Sequence, residues 1–168
     1  MGKSGYVLRR LRARVADRPT GFLWVRKGEL ATAGFPSSKQ QVDWVRSQGI
    51  SRILTLTESP LPSRWTEGIE SKHVPMRDHE PPTFESLAEA SSYVEESVTA
   101  GKPVLVHCLA GQGRTMCVAA AYLIRKGSGV GEAVTFLRRL RPGAVENGQE
   151  VSLREFAERL GAGSSRKR

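Results

Sequence analysis

The stretch Pro103-Val104-Leu105-Val106-His107-Cys108-Leu109-Ala110-Gly111-Gln112-Gly113-Arg114-Thr115 decides how the chain is read. Its opening residues are a valine-rich apolar run, the pattern of a strand buried on both faces. From Thr115 to about Arg125 the chain is apolar and alanine-rich, which predicts a buried helix. Between them lies a loop with two glycines. Loops of this kind bind phosphate in α/β proteins, because unpaired backbone N–H groups converge at the helix start and the helix dipole favours an anion. Cys108 stands at the start of this loop, where the same field favours a nucleophilic thiolate. Arg114 closes it with a planar guanidinium able to hold two phosphoryl oxygens at once, which Lys cannot do. Gly111 and Gly113 are expected to provide the positive φ that turns successive N–H groups inward. Composition alone produces a bare Cys-x5-Arg about one time in five, so the weight rests on the strand before it and the helix after it.

On either side the chain alternates strand and helix signals. Phe22–Val25 and Glu29–Ala33 flank the turn Lys27-Gly28 and read as a hairpin at the sheet's edge. Ser38 caps a helix through about Ser47, closed by Gly49, and Arg52–Thr57 reads as a buried strand. Residues 58–68 have prolines and no period, so a loop is expected there. His73–Met76 reads as a short strand kept to an edge or end by Pro75, followed by a loop over Arg77–Pro82. Thr83 caps a helix to about Ala100, with Glu85 in its first turn, and Gly129–Leu140 and Gln149–Leu160 supply two more helices. The alternation predicts an α/β fold: a single three-layer domain with a mostly parallel sheet of four to five strands flanked by helices, and the phosphate-binding loop between the central strand and a helix.

The chain of 168 residues carries 26 basic and 17 acidic side chains, a net charge of +9, which invites a nucleic-acid reading. The charge is unevenly placed. Residues 1–18 hold Lys3, Arg9, Arg10, Arg12, Arg14 and Arg18, and the chain ends in Arg166-Lys167-Arg168. These ends supply eight of the nine net charges, leaving an almost neutral body. Three units follow: a basic N-terminal arm over 1–18, with Leu8, Leu11 and Val15 on one face of a short helix, a catalytic domain over 19–161, and a basic tail over 162–168. The tails are expected to make at most weak electrostatic contact with acidic surfaces. Trp24, Trp44 and Trp65 are scattered in sequence and give no support to an aromatic nucleic-acid platform. Two cysteines make no disulfide framework, and no apolar stretch approaches the roughly 18 residues of a membrane span. A cytoplasmic monomer is expected.

At Val106-His107-Cys108-x-x-Gly111-x-x-Arg114-Thr115 the chain resembles the cysteine-dependent protein tyrosine phosphatase superfamily, and within it the small atypical dual-specificity phosphatases. The resemblance runs from about Phe22 to Leu160. It includes Phe22-x-Trp24-Val25, Gly34, Arg77-Asp78-x-x-Pro81-Pro82, and Arg138-x-Leu140-Arg141-Pro142-Gly143-Ala144-Val145-Glu146. It implies two-step hydrolysis of phosphotyrosine, and of phosphoserine or phosphothreonine, in phosphorylated protein substrates. Cys108 is then the nucleophile and the phosphocysteine-bearing residue, Asp78 the general acid, and Arg114 the phosphate clamp. The phosphate cradle is Leu109, Ala110, Gly111, Gln112, Gly113 and Arg114. Thr115 eases departure of the thiolate, His107 orders the loop, and neither cofactor nor metal is needed. His79 and Glu80 compete with Asp78 for the acid role, and Asp78 has a plain alternative as a turn-capping residue. The family usually has Gly where this chain has Met116, and relatives have one more residue within Glu146–Glu150, where Asn147 or Gln149 either positions water or starts the last helix. Cys117 is expected to be a buried free cysteine. The alternatives are the same chemistry on RNA 5′-phosphates or phosphoinositides, and a phosphate-binding module without turnover. Loop positions Leu109, Ala110 and Gln112 carry no Lys, which argues against a highly charged lipid headgroup.

Overall fold

The computed structural model describes residues 17–165. The basic arm up to residue 16 and the tip Arg166–Arg168 lie outside the described residues. Five strands, β1 (Leu23–Arg26), β2 (Leu30–Ala33), β3 (Arg52–Thr55), β4 (Glu70–His73) and β5 (Val104–His107), form one sheet in the order β1-β2-β5-β3-β4. The β1–β2 hairpin is antiparallel and every other pairing is parallel. Gly28, at φ +77°, supplies the left-handed residue that the hairpin turn requires. β5 is central, paired with β2 through Ala33↔His107 and with β3 through Thr55↔His107, and all four of its residues are buried. Phosphate-site loops leave the carboxyl ends of parallel strands. This register brings the ends of β2, β3 and β5 level with one another.

Alternate residues of the strands divide between two cores, as the period of two demands. Leu54, Val104, Val106 and Cys108 face a core built with α2 (Phe84–Thr99), α3 (Arg114–Arg125), α4 (Val130–Leu140) and α5 (Asn147–Ser165). Ala31, Ala33, Ile53 and Leu105 face a smaller core under α1 (Lys39–Ser47). Trp24, Trp44 and Trp65 all pack against that smaller core, with Phe22 edge-on to the first two at 5.8 and 4.9 Å. The tryptophans thus meet in space as packing groups. α3 is the middle of the molecule: eleven of its twelve residues, Arg114 to Ile124, are buried. Burying each large apolar side chain contributes about 1.5–3 kcal/mol.

Ser38 and Thr83 cap α1 and α2, accepting from the N–H groups of Gln41 and Ser86. Several expected boundaries move, among them the strand expected over Arg52–Thr57, which ends at Thr55. The strand expected at His73–Met76 lies at Glu70–His73, where polar residues pair with β3 at a half-solvated edge. Apolar content marked the wrong residues because edge strands are polar. Beyond it, the N–H groups of Val74 and Met76 still reach the carbonyls of Thr55 and Leu56 on either side of Pro75. The last helix, expected over Gln149–Leu160, begins at Asn147 and runs to Ser165. The loop over residues 58–68 holds a short 3-10 turn at Ser63–Trp65.

Candidate active site

The β5–α3 connection closes on itself around sulfur. The Gly111 N–H donates to Cys108 Sγ at 3.2 Å, and Cys108 is 2% exposed. Gly111 has φ +72°, and a Cβ there would come within 2.5 Å of the Ala33 carbonyl carbon, so only glycine fits. Gly113 corrects the sequence reading, because its φ is −79°. A Cβ there would meet Gln149 Nε2 at 2.6 Å, so a side chain at this position would push the Gln149 amide aside. The outer half of the loop is held from β2: the Phe35 N–H donates to the Leu109 carbonyl at 3.0 Å, and the Gly34 N–H to Thr20 at 2.8 Å.

His107 sits beneath the loop, fully buried. A carbonyl can only accept, so the contact between Nδ1 and the Cys108 carbonyl at 3.4 Å places the ring proton on Nδ1. Nε2 then accepts from the Thr55 hydroxyl at 2.9 Å. Burial lowers the imidazole pKa to about 4, so the ring is neutral at ordinary pH. Thr115 is fully buried, and its Oγ1 has no hydrogen-bond partner among the described residues. An unsatisfied buried hydroxyl costs about 1–3 kcal/mol, which makes it a group awaiting a partner.

Arg114 is 3% exposed and points along the mouth of the loop. Its Nη1 donates to the Met76 carbonyl at 2.9 Å and lies 3.3 Å from Glu58 Oε2, and its Nη2 lies 3.0 Å from Asp78 Oδ1. Of the three candidate acids, Asp78 alone reaches this cation. His79 is 94% exposed, with φ +59°, and Glu80 pairs outward with Arg77 at 3.5 Å. Glu58 was missed by sequence reasoning, which placed it in a periodless loop. Its Oε1 accepts the Asp78 N–H at 2.8 Å. That bond, its own backbone N–H and the Arg114 charge hold its carboxyl below the usual range.

A pocket of about 330 Å³ opens above the loop, lined by Cys108, Arg114, Asp78, Glu80, Glu146 and Gln149 among others. Gln149, in the first turn of the last helix, accepts from the Glu146 N–H at 3.0 Å, while its Nε2 faces Gly113. The side chain of Asn147 lies outside the described residues. Arg141 donates to the Gly21 carbonyl; burial lowers its pKa and the nearby Cys108 opposes that shift. Met116, the departure from the family glycine, is fully buried in the core and does not line the pocket. Cys117 is buried, and burial pushes its thiol up to about 12. Among the described residues no group of three or more His, Cys, Asp or Glu could hold a metal ion, and no helix is long and apolar enough to cross a membrane. A larger cleft of about 760 Å³ lies at the far end of α3, by Ile124 and Leu160, away from Cys108.

Comparison with known proteins reaches the same loop. Residues 19–153 match the family described as PTP-SAK, Swiss Army Knife protein, DSP-PTPase phosphatase domain. The phosphatidylglycerophosphate phosphatase PTPMT2 of Arabidopsis thaliana is 29% identical over 126 residues, which cover 71% of this chain and 55% of that protein. Dual specificity protein phosphatase 7 of Homo sapiens is 31% identical over 136 residues, 78% of this chain and 32% of that protein. The chain thus spans between a third and about half of these relatives. Among solved structures, Tk-PTP in the active form is 32% identical with a TM-score of 0.73, covering 82% of this chain and 97% of that one.

Proposed function

The chain belongs to the DSP-PTPase phosphatase domain family, and from that premise we propose that it hydrolyses phosphotyrosine, and phosphoserine or phosphothreonine, in proteins through a phosphocysteine intermediate. The observation that carries the reading is a buried cysteine sulfur accepting a loop N–H at a helix start, with a nearly buried arginine at the same mouth. Phosphate enters the ring of N–H groups from Leu109 to Arg114, and Arg114 exchanges its two carboxylates for two phosphoryl oxygens. Cys108 Sγ attacks phosphorus; the S–P bond forms as the bond to the leaving oxygen breaks. Asp78, released from Arg114, acts as the general acid and gives the leaving oxygen its proton. Water then attacks phosphorus, gives its proton to Asp78, and the thiolate leaves with Thr115 Oγ1 donating to it. The neutral His107 takes no proton in either step and acts by fixing the Cys108 carbonyl.

Cys108→Ser tests this. Turnover of nitrophenyl phosphate falls by at least about 10³-fold, the size expected when a nucleophile is removed, while vanadate or tungstate still binds. Residual activity near that of the native chain overturns the reading. A second reading, a lipid phosphomonoester substrate, draws on the match to the plant phosphatidylglycerophosphate phosphatase. The basic ends of the chain are proposed to lie outside the catalytic unit, so removing residues 1–16 leaves turnover of nitrophenyl phosphate nearly unchanged.

A further inference from the structure

We propose that this pocket selects phosphomonoesters flanked by positive charge, meaning phosphopeptides with Lys or Arg beside the phosphorylated residue, and disfavours polyanionic phosphates. The inference rests on the phosphatase reading above and names its substrate class. The floor is built for a single anion: one nearly buried guanidinium, loop N–H groups, and a fully buried threonine hydroxyl without a partner. The walls have the opposite sign. Asp78, Glu80 and Glu146 line the pocket and Glu58 borders it, whereas Arg114 is its one lining Lys or Arg.

What compensates these carboxylates is at the surface: His79 Nε2, which also lines the pocket, lies 3.7 Å from Asp78 Oδ2 on a side chain that is 94% exposed. Arg77 pairs with Glu80 at 3.5 Å while 78% exposed, and Glu146 enters no ion pair among the described residues. Arg141 turns its guanidinium to the Gly21 carbonyl and does not line the pocket. In the free site Arg114 is shared by Asp78 and Glu58, so its charge is already answered. When phosphate takes Arg114, both carboxylates lose their cation and face the phosphate with Glu80 and Glu146. Asp78 meets this by carrying its proton; the other three remain. Any further anion at the mouth, whether a second phosphate, an acidic side chain or an anionic lipid surface, meets like charge across a partly screened gap. A Lys or Arg beside the phosphoresidue restores the balance, and an effect of this kind is read in the specificity constant and its salt dependence.

The test uses the full chain and phosphotyrosine peptides of equal length whose flanking positions are Lys, Gln or Glu. At low ionic strength kcat/KM for the Lys-flanked peptide exceeds that for the Glu-flanked one by about tenfold, and the ratio shrinks to about two- or threefold in high salt, as screening of exposed charges requires. The double variant Glu80→Lys, Glu146→Lys inverts the ratio. The basic segment over residues 1–16 attracts acidic peptides and works against the native ratio, so its change on charge reversal isolates the rim. If the double variant does not fold, the salt dependence of the native ratio decides. Equal or reversed preference in the native chain overturns the proposal, as does faster turnover of a monophosphorylated inositol lipid in vesicles. Turnover of nitrophenyl phosphate with a flat peptide ratio overturns the selectivity alone. Absence of nitrophenyl phosphate turnover overturns the phosphatase reading, and the selectivity with it.

Discussion

The two halves of the site are built in opposite ways. The phosphate half, from His107 to Thr115, is anchored in the middle of the molecule: Cys108 and Arg114 are almost sealed, His107 and Thr115 fully so, Gly111 has no room for a methyl group, and Leu109, Ala110 and Gln112 face outward. The acid half, from Arg77 to Pro81, lies on the surface, and Asp78 is held by Arg114 and by its own N–H bond to Glu58. One half is fixed by the packing of the whole domain; the other is held by the site's own cation. On the mechanism proposed above, the phosphate cradle is ready before substrate arrives, and Asp78 is freed for its role when phosphate takes Arg114.

Changes in the first half therefore act on stability and activity together, and changes in the second on chemistry alone. The largest joint effect on stability and activity is expected at Gly111→Ala, where the added Cβ meets the Ala33 backbone at positive φ. Combined strain and overpacking cost about 3–5 kcal/mol of stability, and the shift of the loop that relieves the clash moves its N–H donors off the phosphate position, lowering kcat by about 10²–10³-fold. A stable, active variant would break the contrast. Next comes acid sensitivity. A pKa of about 4 lies below the ordinary 6.5 because the folded chain holds His107 neutral. Its stabilising contribution is full above about pH 6.5 and fades as pH falls toward 4, a loss of about 3 kcal/mol. Denaturant unfolding at neutral pH and near pH 4.5 should show this loss in the native chain and much less of it in His107→Asn.

On the surface side, Asp78→Asn leaves the melting temperature unchanged and lowers kcat on an alkyl phosphate by about 10²-fold, the usual reach of a general acid. On nitrophenyl phosphate, whose leaving group scarcely needs a proton, the loss is tenfold or smaller. Equal losses on both esters would give the acid role to another group. Glu58→Gln has the smallest effect, a two- to threefold change in KM for a simple phosphate with unaltered stability, since Glu58 itself is solvent-exposed and Arg114 keeps Asp78 and the Met76 carbonyl as partners.

The same division governs what could be read from the sequence. Strand β5, helix α3 and the loop between them were legible because each is specified locally, by apolar run, helix period and glycine placement. The hairpin and the caps at Ser38 and Thr83 were legible for the same reason. Glu58 was not, because its significance is a contact with a residue 56 positions away. Nor was the function of Gly113, which depends on Gln149 from another helix. Strand β4 was misplaced by three residues because its identity comes from pairing with β3 and not from its own polar side chains.

The near-complete burial of α3 has one last consequence. The amide hydrogens of its inner turns are hydrogen-bonded and buried, so their exchange reports openings close to global unfolding. The first amides of the helix, by contrast, are the unpaired groups of the phosphate-binding turn, open to the pocket. A tightly held oxyanion such as vanadate therefore protects both sets, the first by direct contact and the second by stabilising the folded chain, including at Ile124, which lies at the end of α3 farthest from the bound oxyanion.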